Sequence, residues 1–250
     1  LRSTKLSAPF ERSSRMALAV RVIPTVLYDG DLCVKPVAFA RPARPVGSVM
    51  SALRIHERRE VDEIVLLDVS GSDTPADVSP FADVLFTPFS VGGGIRSVDD
   101  VDRLLRQGAD KVVFGPSACR EPRLLESVAS RWGCQAVCVH VVATDAVTAA
   151  VSAASLVERG AGEVLLTARS RDGTQTGYDL DLIESVARSV SVPVVAAGGC
   201  RSADDAVAAV RAGAAAVAVG AAFHFTSLRP RDIKRALRNA GFSVRLSEAA

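Results

Sequence analysis

The sequence predicts a single α/β domain, a (β/α)8 barrel of eight parallel strands each followed by a helix. Three observations carry that expectation. Apolar runs of strand length alternate with helical patterns from Leu18 to Asn239, with no break that would mark a second domain. The chain has 250 residues, and such barrels typically take about 250. One unit is also written twice at a constant offset. Gly93-Gly94 matches Gly198-Gly199, Ser97 matches Ser202, Gly108-Ala109 matches Gly213-Ala214, and Gly115 matches Gly220. A doubly wound open sheet is the competing architecture, and the repeat of half-barrels favours closure.

The elements follow in order. Leu18–Leu27 is an apolar run broken only by Arg21 and Pro24, as suits a buried parallel strand. Asp29-Gly30 signals a turn into a short return strand, Leu32–Lys35. Val49, Ala52, Leu53 and His56 have helical spacing up to Glu60. The strand from Glu63 to Asp68 ends in a carboxylate. After the loop 70–77 there is room for a short helix, and then a strand in which Val84 to Phe86, Phe89 and Val91 lead to Gly92. Ser97 can cap the next helix, with Asp99 and Asp100 in its first turn. Helices 98–107, 122–132, 146–159, 180–188 and 203–212 alternate with strands 111–114, 136–142, 163–167, 192–196 and 215–219. Pro230 opens the last helix. The longest polar loop runs from Arg169 to Asp179.

Composition sets bounds on function. Hydrophobic residues make up 48%, charged residues 23%, and the net charge is +2. No basic excess points to nucleic acid or a membrane surface. No apolar run approaches the ~20 residues of a membrane span. The five cysteines are expected to be reduced and mostly buried, as in a cytoplasmic protein. Cys134 and Cys138, four apart in an expected strand, would share a face, but with only His140 close they do not make a metal site. Residues 1–15 lack periodicity and are expected to be a disordered extension ahead of a domain spanning 16–250; a transit peptide is the other reading.

The candidate site lies at the C-terminal ends of the strands, the functional face of such a barrel. The two Gly-Gly turns run from strand ends towards helix starts, where bare N–H groups and the helix dipole can cradle phosphate. The plainer reading is that these glycines only tighten the turns.

Taken together, Val91-Gly92-Gly93-Gly94-Ile95-Arg96-Ser97, Arg171-Asp172-Gly173-Thr174, Gly177-Tyr178-Asp179 and Phe223-His224-Phe225 resemble the cyclase subunit of imidazole glycerol phosphate synthase, the HisF family. The resemblance runs from Arg21 to about Leu246. It implies a barrel that takes ammonia from a glutaminase subunit, passes it up the barrel axis and reacts it with a nucleotide bearing phosphate at both ends. It implies no cofactor and no metal. One phosphate would sit at Gly93, Gly94 and Gly115, the other at Asp172, Gly173, Gly198, Gly199, Gly220 and Ala221. The ammonia-channel mouth would be Arg21, Glu63, Lys111 and Glu163, at the starts of alternate strands and facing the glutaminase. Two acids and two bases can compensate one another there; a structural salt-bridge plug is the alternative.

The sequence departs from that family where chemistry is done. The resemblance places two catalytic aspartates where Leu27 and Val142 stand. Neither can move a proton, and general acid-base catalysis contributes about 10²–10⁴-fold. Gly115-Pro116 replaces an Asn-Thr pair, Ala197 and Ala221 replace serines, and the long loop after strand five is missing. Asp29, Asp31 and Asp145 are loop acids that more often form turns. Asp68 and Asp172 remain at strand ends. His140 reads as a satisfied barrel-wall histidine.

A branch of the family with leucine at the first aspartate position resembles ammonia-delivering partners of a sugar amidotransferase. The expected function is therefore a HisF-like subunit of a glutamine amidotransferase, channelling ammonia to a phosphorylated or sugar acceptor. The alternatives are an authentic cyclase of histidine biosynthesis and a non-catalytic phosphate-binding or scaffold barrel.

Overall fold

The computed structural model describes residues 19–246. The expected extension at 1–15 lies outside them. β1 (Arg21–Asp29) is followed by a hairpin, β2 (Leu32–Lys35) and β3 (Arg44–Ser48), and by helix α1 (Val49–Glu57). Then come β4 (Ile64–Asp68), α2 (Ser79–Ala82), β5 (Phe89–Gly92), α3 (Val98–Arg106), β6 (Lys111–Phe114) and α4 (Pro122–Trp132). The second half has β7 (Val137–Ala143), α5 (Ala146–Glu158), β8 (Glu163–Ala168) and α6 (Leu180–Ser189). It ends with β9 (Val194–Ala197), α7 (Ala203–Arg211), β10 (Ala216–Val219), α8 (Ala221–Phe225) and α9 (Pro230–Asn239). β1 and β4 to β10 pair in parallel, and β10 returns to β1 through Arg21↔Ala216 and Pro24↔Val219. The barrel is closed, as expected.

Period-2 alternation sorts the strand residues into two cores. One set packs outward under the helices, as Tyr28 does edge-on against Phe81 at 5.7 Å. The other set, including Ile23, Val65, Val113, Cys138 and Leu165, fills the barrel interior. The repeat shows in the caps: Ser97 and Ser202 both accept from the N–H three residues on, from Asp100 and Asp205, which bond back to them. Lys234 on α9 is buried against Asp62 at 2.8 Å and the Glu60 carbonyl at 2.7 Å, tying the last helix to the bottom of the barrel. Among the described residues, no helix is long and apolar enough to cross a membrane.

β1 positions the site. Its lower half pairs with β10, while Leu27–Asp29 pairs antiparallel with β2. β2 therefore stands above the end of β10 and delivers Lys35 over Gly220. The second hairpin strand, β3, was not expected from its Arg-Pro-Val-Gly-Ser sequence; it forms because β2 offers an edge that pairs Leu32 with Ser48. Two expectations are corrected. Val84 to Phe86 is not strand: it follows the α2 turn, and Phe86 is 94% exposed. Cys134 and Cys138 do not share a face. Gly133, at φ 87°, ends α4 and leads into a turn over Cys134–Ala136, so Cys134 is exposed while Cys138 is buried.

Candidate functional site

The bottom of the barrel carries a closed ring of ion pairs. Arg21 reaches Glu63 at 2.6 Å and Glu163 at 2.5 Å. Lys111 reaches the same two carboxylates, both at 2.8 Å. The Ser90 hydroxyl donates to Glu63 at 2.6 Å, a contact the sequence reading missed. Burial opposes ionisation of Glu63, but Lys111 and Arg21 outweigh it and hold the carboxyl below its usual range. Burial likewise lowers Lys111, and Glu163 and Glu63 more than offset it, so the ammonium is held above its usual range. The four residues do come together. They rise from β1, the residue before β4, β6 and β8, which are barrel strands one, two, four and six rather than strictly alternate ones. Ile23, Val65, Val113 and Leu165 lie in the apolar layer of the barrel interior.

Beyond that layer, at the C-terminal ends of the strands, is a cavity of about 540 Å³. Leu27 and Val142 both line it, with Leu67, Val113, Leu165 and Ala197. Of the expected phosphate-binding residues, Gly93, Gly115, Asp172, Gly198 and Gly220 line the cavity. The other four do not. A Cβ on Gly94 would collide with the Thr74–Pro75 backbone, one on Gly173 with the Pro36 carbonyl, and one on Gly199 with the Gly177 carbonyl. These glycines accommodate close backbone approach. Ala221 begins α8 outside the lining.

Lys35 is the cavity residue the sequence reading did not single out. It is only 8% exposed, and its ammonium donates to the Thr25 carbonyl at 3.0 Å. Any Cβ on Gly220 would overlap that ammonium. Burial lowers the Lys35 pKa, with Asp172 opposing; burial raises that of Asp172, with Lys35 opposing. The segment 36–43 arches over the opening. Ala38 N–H donates to the Asp172 carbonyl at 2.8 Å, Arg169 stacks on Phe39 at 5.1 Å, and Arg41 bonds the Val69 carbonyl. A lysine closing a short apolar strand was the available signal, but burial of its head group depends on where β10 ends.

The loop acids separate. Asp29 lines the cavity, whereas Asp145 is the N-cap of α5 and accepts from Thr148 N–H at 2.7 Å. His140 Nε2 sits 2.8 Å from Thr167 Oγ1, a satisfied wall histidine at the cavity edge. Burial holds its pKa down to about 4. The unfolded chain, with an ordinary histidine near 6.5, takes up the proton first. This stabilising contribution is therefore complete above pH 6.5 and is lost as pH falls towards 4. Proton NMR of the imidazole is expected to show neutral His140 at pH 5.5; a midpoint near 6.5 would contradict the buried geometry.

Known proteins resemble this chain in sequence. The family model described as histidine biosynthesis protein matches residues 21–229. A Nocardioides protein named imidazole glycerol phosphate synthase subunit HisF is 40% identical over 262 residues, covering 92% of this chain and 100% of that protein. The same-named Streptomyces griseus protein is 40% identical and that of Corynebacterium glutamicum 37%, with the same coverage of both chains. Barrel topology, duplicated Gly-Gly turns and full-length similarity agree: the chain belongs to the histidine biosynthesis family and is HisF-like.

Proposed function

We propose that this barrel is the ammonia-accepting subunit of a glutamine amidotransferase and delivers ammonia to an acceptor other than the one used by a cyclase. The observation that carries this reading is the contrast between its two ends. The charged ring at the bottom is complete, with all four ion pairs made. At the top, leucine and valine stand where the resemblance implies catalytic aspartates, and both side chains line the cavity. Relatives named as synthase subunits support a partner protein. A glutaminase docked over the ring would release ammonia against Arg21, Glu63, Lys111 and Glu163. Neutral ammonia crosses the apolar layer of Ile23, Val65, Val113 and Leu165 more cheaply than ammonium, because an unpaired buried charge is costly.

At the top, phosphate recognition would fall to the glycines that line the cavity, with Lys35 as counter-charge. A cavity without proton-transfer groups at Leu27 and Val142 suits a conduit or an acceptor that is already reactive.

The test is coupling. A glutaminase encoded with this protein is expected to hydrolyse glutamine faster when the barrel is added. Lys111→Glu, which places three carboxylates around Arg21, is expected to reduce that coupling about tenfold or more. Coupling unchanged in a folded Lys111→Glu protein would remove the ring from the reading. No stimulation by the native protein would favour a scaffold barrel.

A further inference from the structure

The two halves of the cavity rim descend from the same repeat, yet only one of them holds a buried cation. On the first-half side the lining residues are Gly93, Gly115, Pro116 and Asp68. Asp68 packs against Gly93 so closely that a Cβ there would strike it. Pro116 has no N–H to offer an anion. On the second-half side are Gly198, Gly220, Asp172 and the buried ammonium of Lys35, whose charge offsets that of the Asp172 carboxylate. That ammonium has three donors, and among the described residues it bonds only the Thr25 carbonyl. Thr25 also lines the cavity, and its hydroxyl is buried without a hydrogen-bond partner. The two arginines of the lining do not alter the asymmetry: both are exposed, Arg41 bonded to the Val69 carbonyl and Arg169 stacked on Phe39.

A phosphate carries nearly two negative charges at neutral pH. Beside Asp68 it would meet like charge with no buried cation to offset it; beside Lys35, where the ammonium offsets Asp172, it would complete the donors of the ammonium and the Thr25 hydroxyl. We propose that the cavity takes a ligand with a single phosphate, held on the Lys35, Gly198 and Gly220 side, and an uncharged body lying over Leu27, Val113 and Val142. This rests on the reading of the cavity as the acceptor site and narrows the acceptor to a monophosphate, in place of the doubly phosphorylated nucleotide that the family resemblance implies.

Calorimetry on the full chain tests it. Inorganic phosphate is titrated first, then ribulose 5-phosphate and ribulose 1,5-bisphosphate as probes with one and two phosphates. One phosphate per chain is expected, with the two sugars binding within about threefold of each other and Lys35→Met weakening both about tenfold or more. Two phosphates per chain, a bisphosphate about tenfold tighter than the monophosphate, or no phosphate binding would each overturn the proposal. Undiminished binding by folded Lys35→Met would overturn the assigned seat. If Lys35→Met does not fold, the native stoichiometry and the comparison of the two sugars decide alone. Glutaminase coupling is measured separately. Two phosphates with coupling intact defeat only this inference, and one phosphate without coupling defeats only the ammonia-transfer reading.

Discussion

Supplied with ammonium salt at high pH and the doubly phosphorylated nucleotide of the cyclase reaction, the purified protein is expected to leave that nucleotide unconsumed. Free ammonia bypasses any glutaminase, so the assay isolates the chemistry at the top of the barrel. Leu27 and Val142 line the cavity there with side chains that cannot hold a proton. Losing one general acid or base costs about 10²–10⁴-fold, so losing both is expected to cost at least ~10⁴-fold. Asp145 cannot stand in, because its carboxylate caps α5. Turnover at ordinary rates, about 1–10³ per second, would defeat the argument and direct attention to Asp29 and Asp172, both of which line the cavity. Asp172→Asn would then test the second of these candidates, whose pKa burial raises against the opposing charge of Lys35. The double variant Leu27→Asp, Val142→Asp is expected to remain silent, because the rim beside Asp68 and Pro116 still lacks a buried cation for the second phosphate. A gain of about hundredfold would show that the two aspartates are the main loss.

Lys234→Met is expected to be the most destabilising single change proposed here. The side chains of Lys234 and Asp62 are 4% and 2% exposed, and their pair measures 2.8 Å. The second carboxylate oxygen of Asp62 accepts from Val22 N–H at 2.8 Å. Removing the lysine leaves a carboxylate that is buried, tied to β1 and uncompensated. Breaking such a pair from one side costs about 3–5 kcal/mol. At about 2–4 °C per kcal/mol for a chain of this size, the thermal midpoint is expected to fall by about 6–20 °C. Adding Asp62→Asn should recover part of the loss, because the stranded charge disappears. Urea denaturation of the two variants measures both effects. A loss below about 1 kcal/mol would mean that water reaches Asp62 when the lysine is gone.

The barrel was legible because its signals are local. Strand-length apolar runs, Ser caps followed by acids, and Gly-Ala turns before strands each depend on a few neighbouring residues, and their repetition exposes the duplication. Phe86 misled for the same reason: Val-Leu-Phe reads as strand, but it follows a turn of helix, and the Val84 and Leu85 N–H groups donate to the Phe81 carbonyl rather than to a neighbouring strand. The ring residues were named through the family resemblance; their charges at strand starts alone left a structural salt-bridge plug open. Lys35 was hidden because its importance comes from β2 standing on the end of β10, a meeting of residues nearly two hundred positions apart. The glycines were only half legible. Sequence shows that a side chain is absent, but not whether the space is filled by the cavity, as at Gly115, or by backbone, as at Gly94.

The pairing of β1 with β10 has a consequence during synthesis. The first strand made is joined by the last, so a growing chain carries an unsealed seam until Ala216–Val219 emerges. The duplication supplies an earlier impostor, since β6 occupies in the first repeat the place that β10 occupies in the second. Laid in the register of β10, β6 would put Lys111 opposite Arg21, where β10 puts Ala216. Two like charges opposed across a strand pair are destabilising. The cations that complete the ring in the finished barrel thus discourage a premature half-size closure.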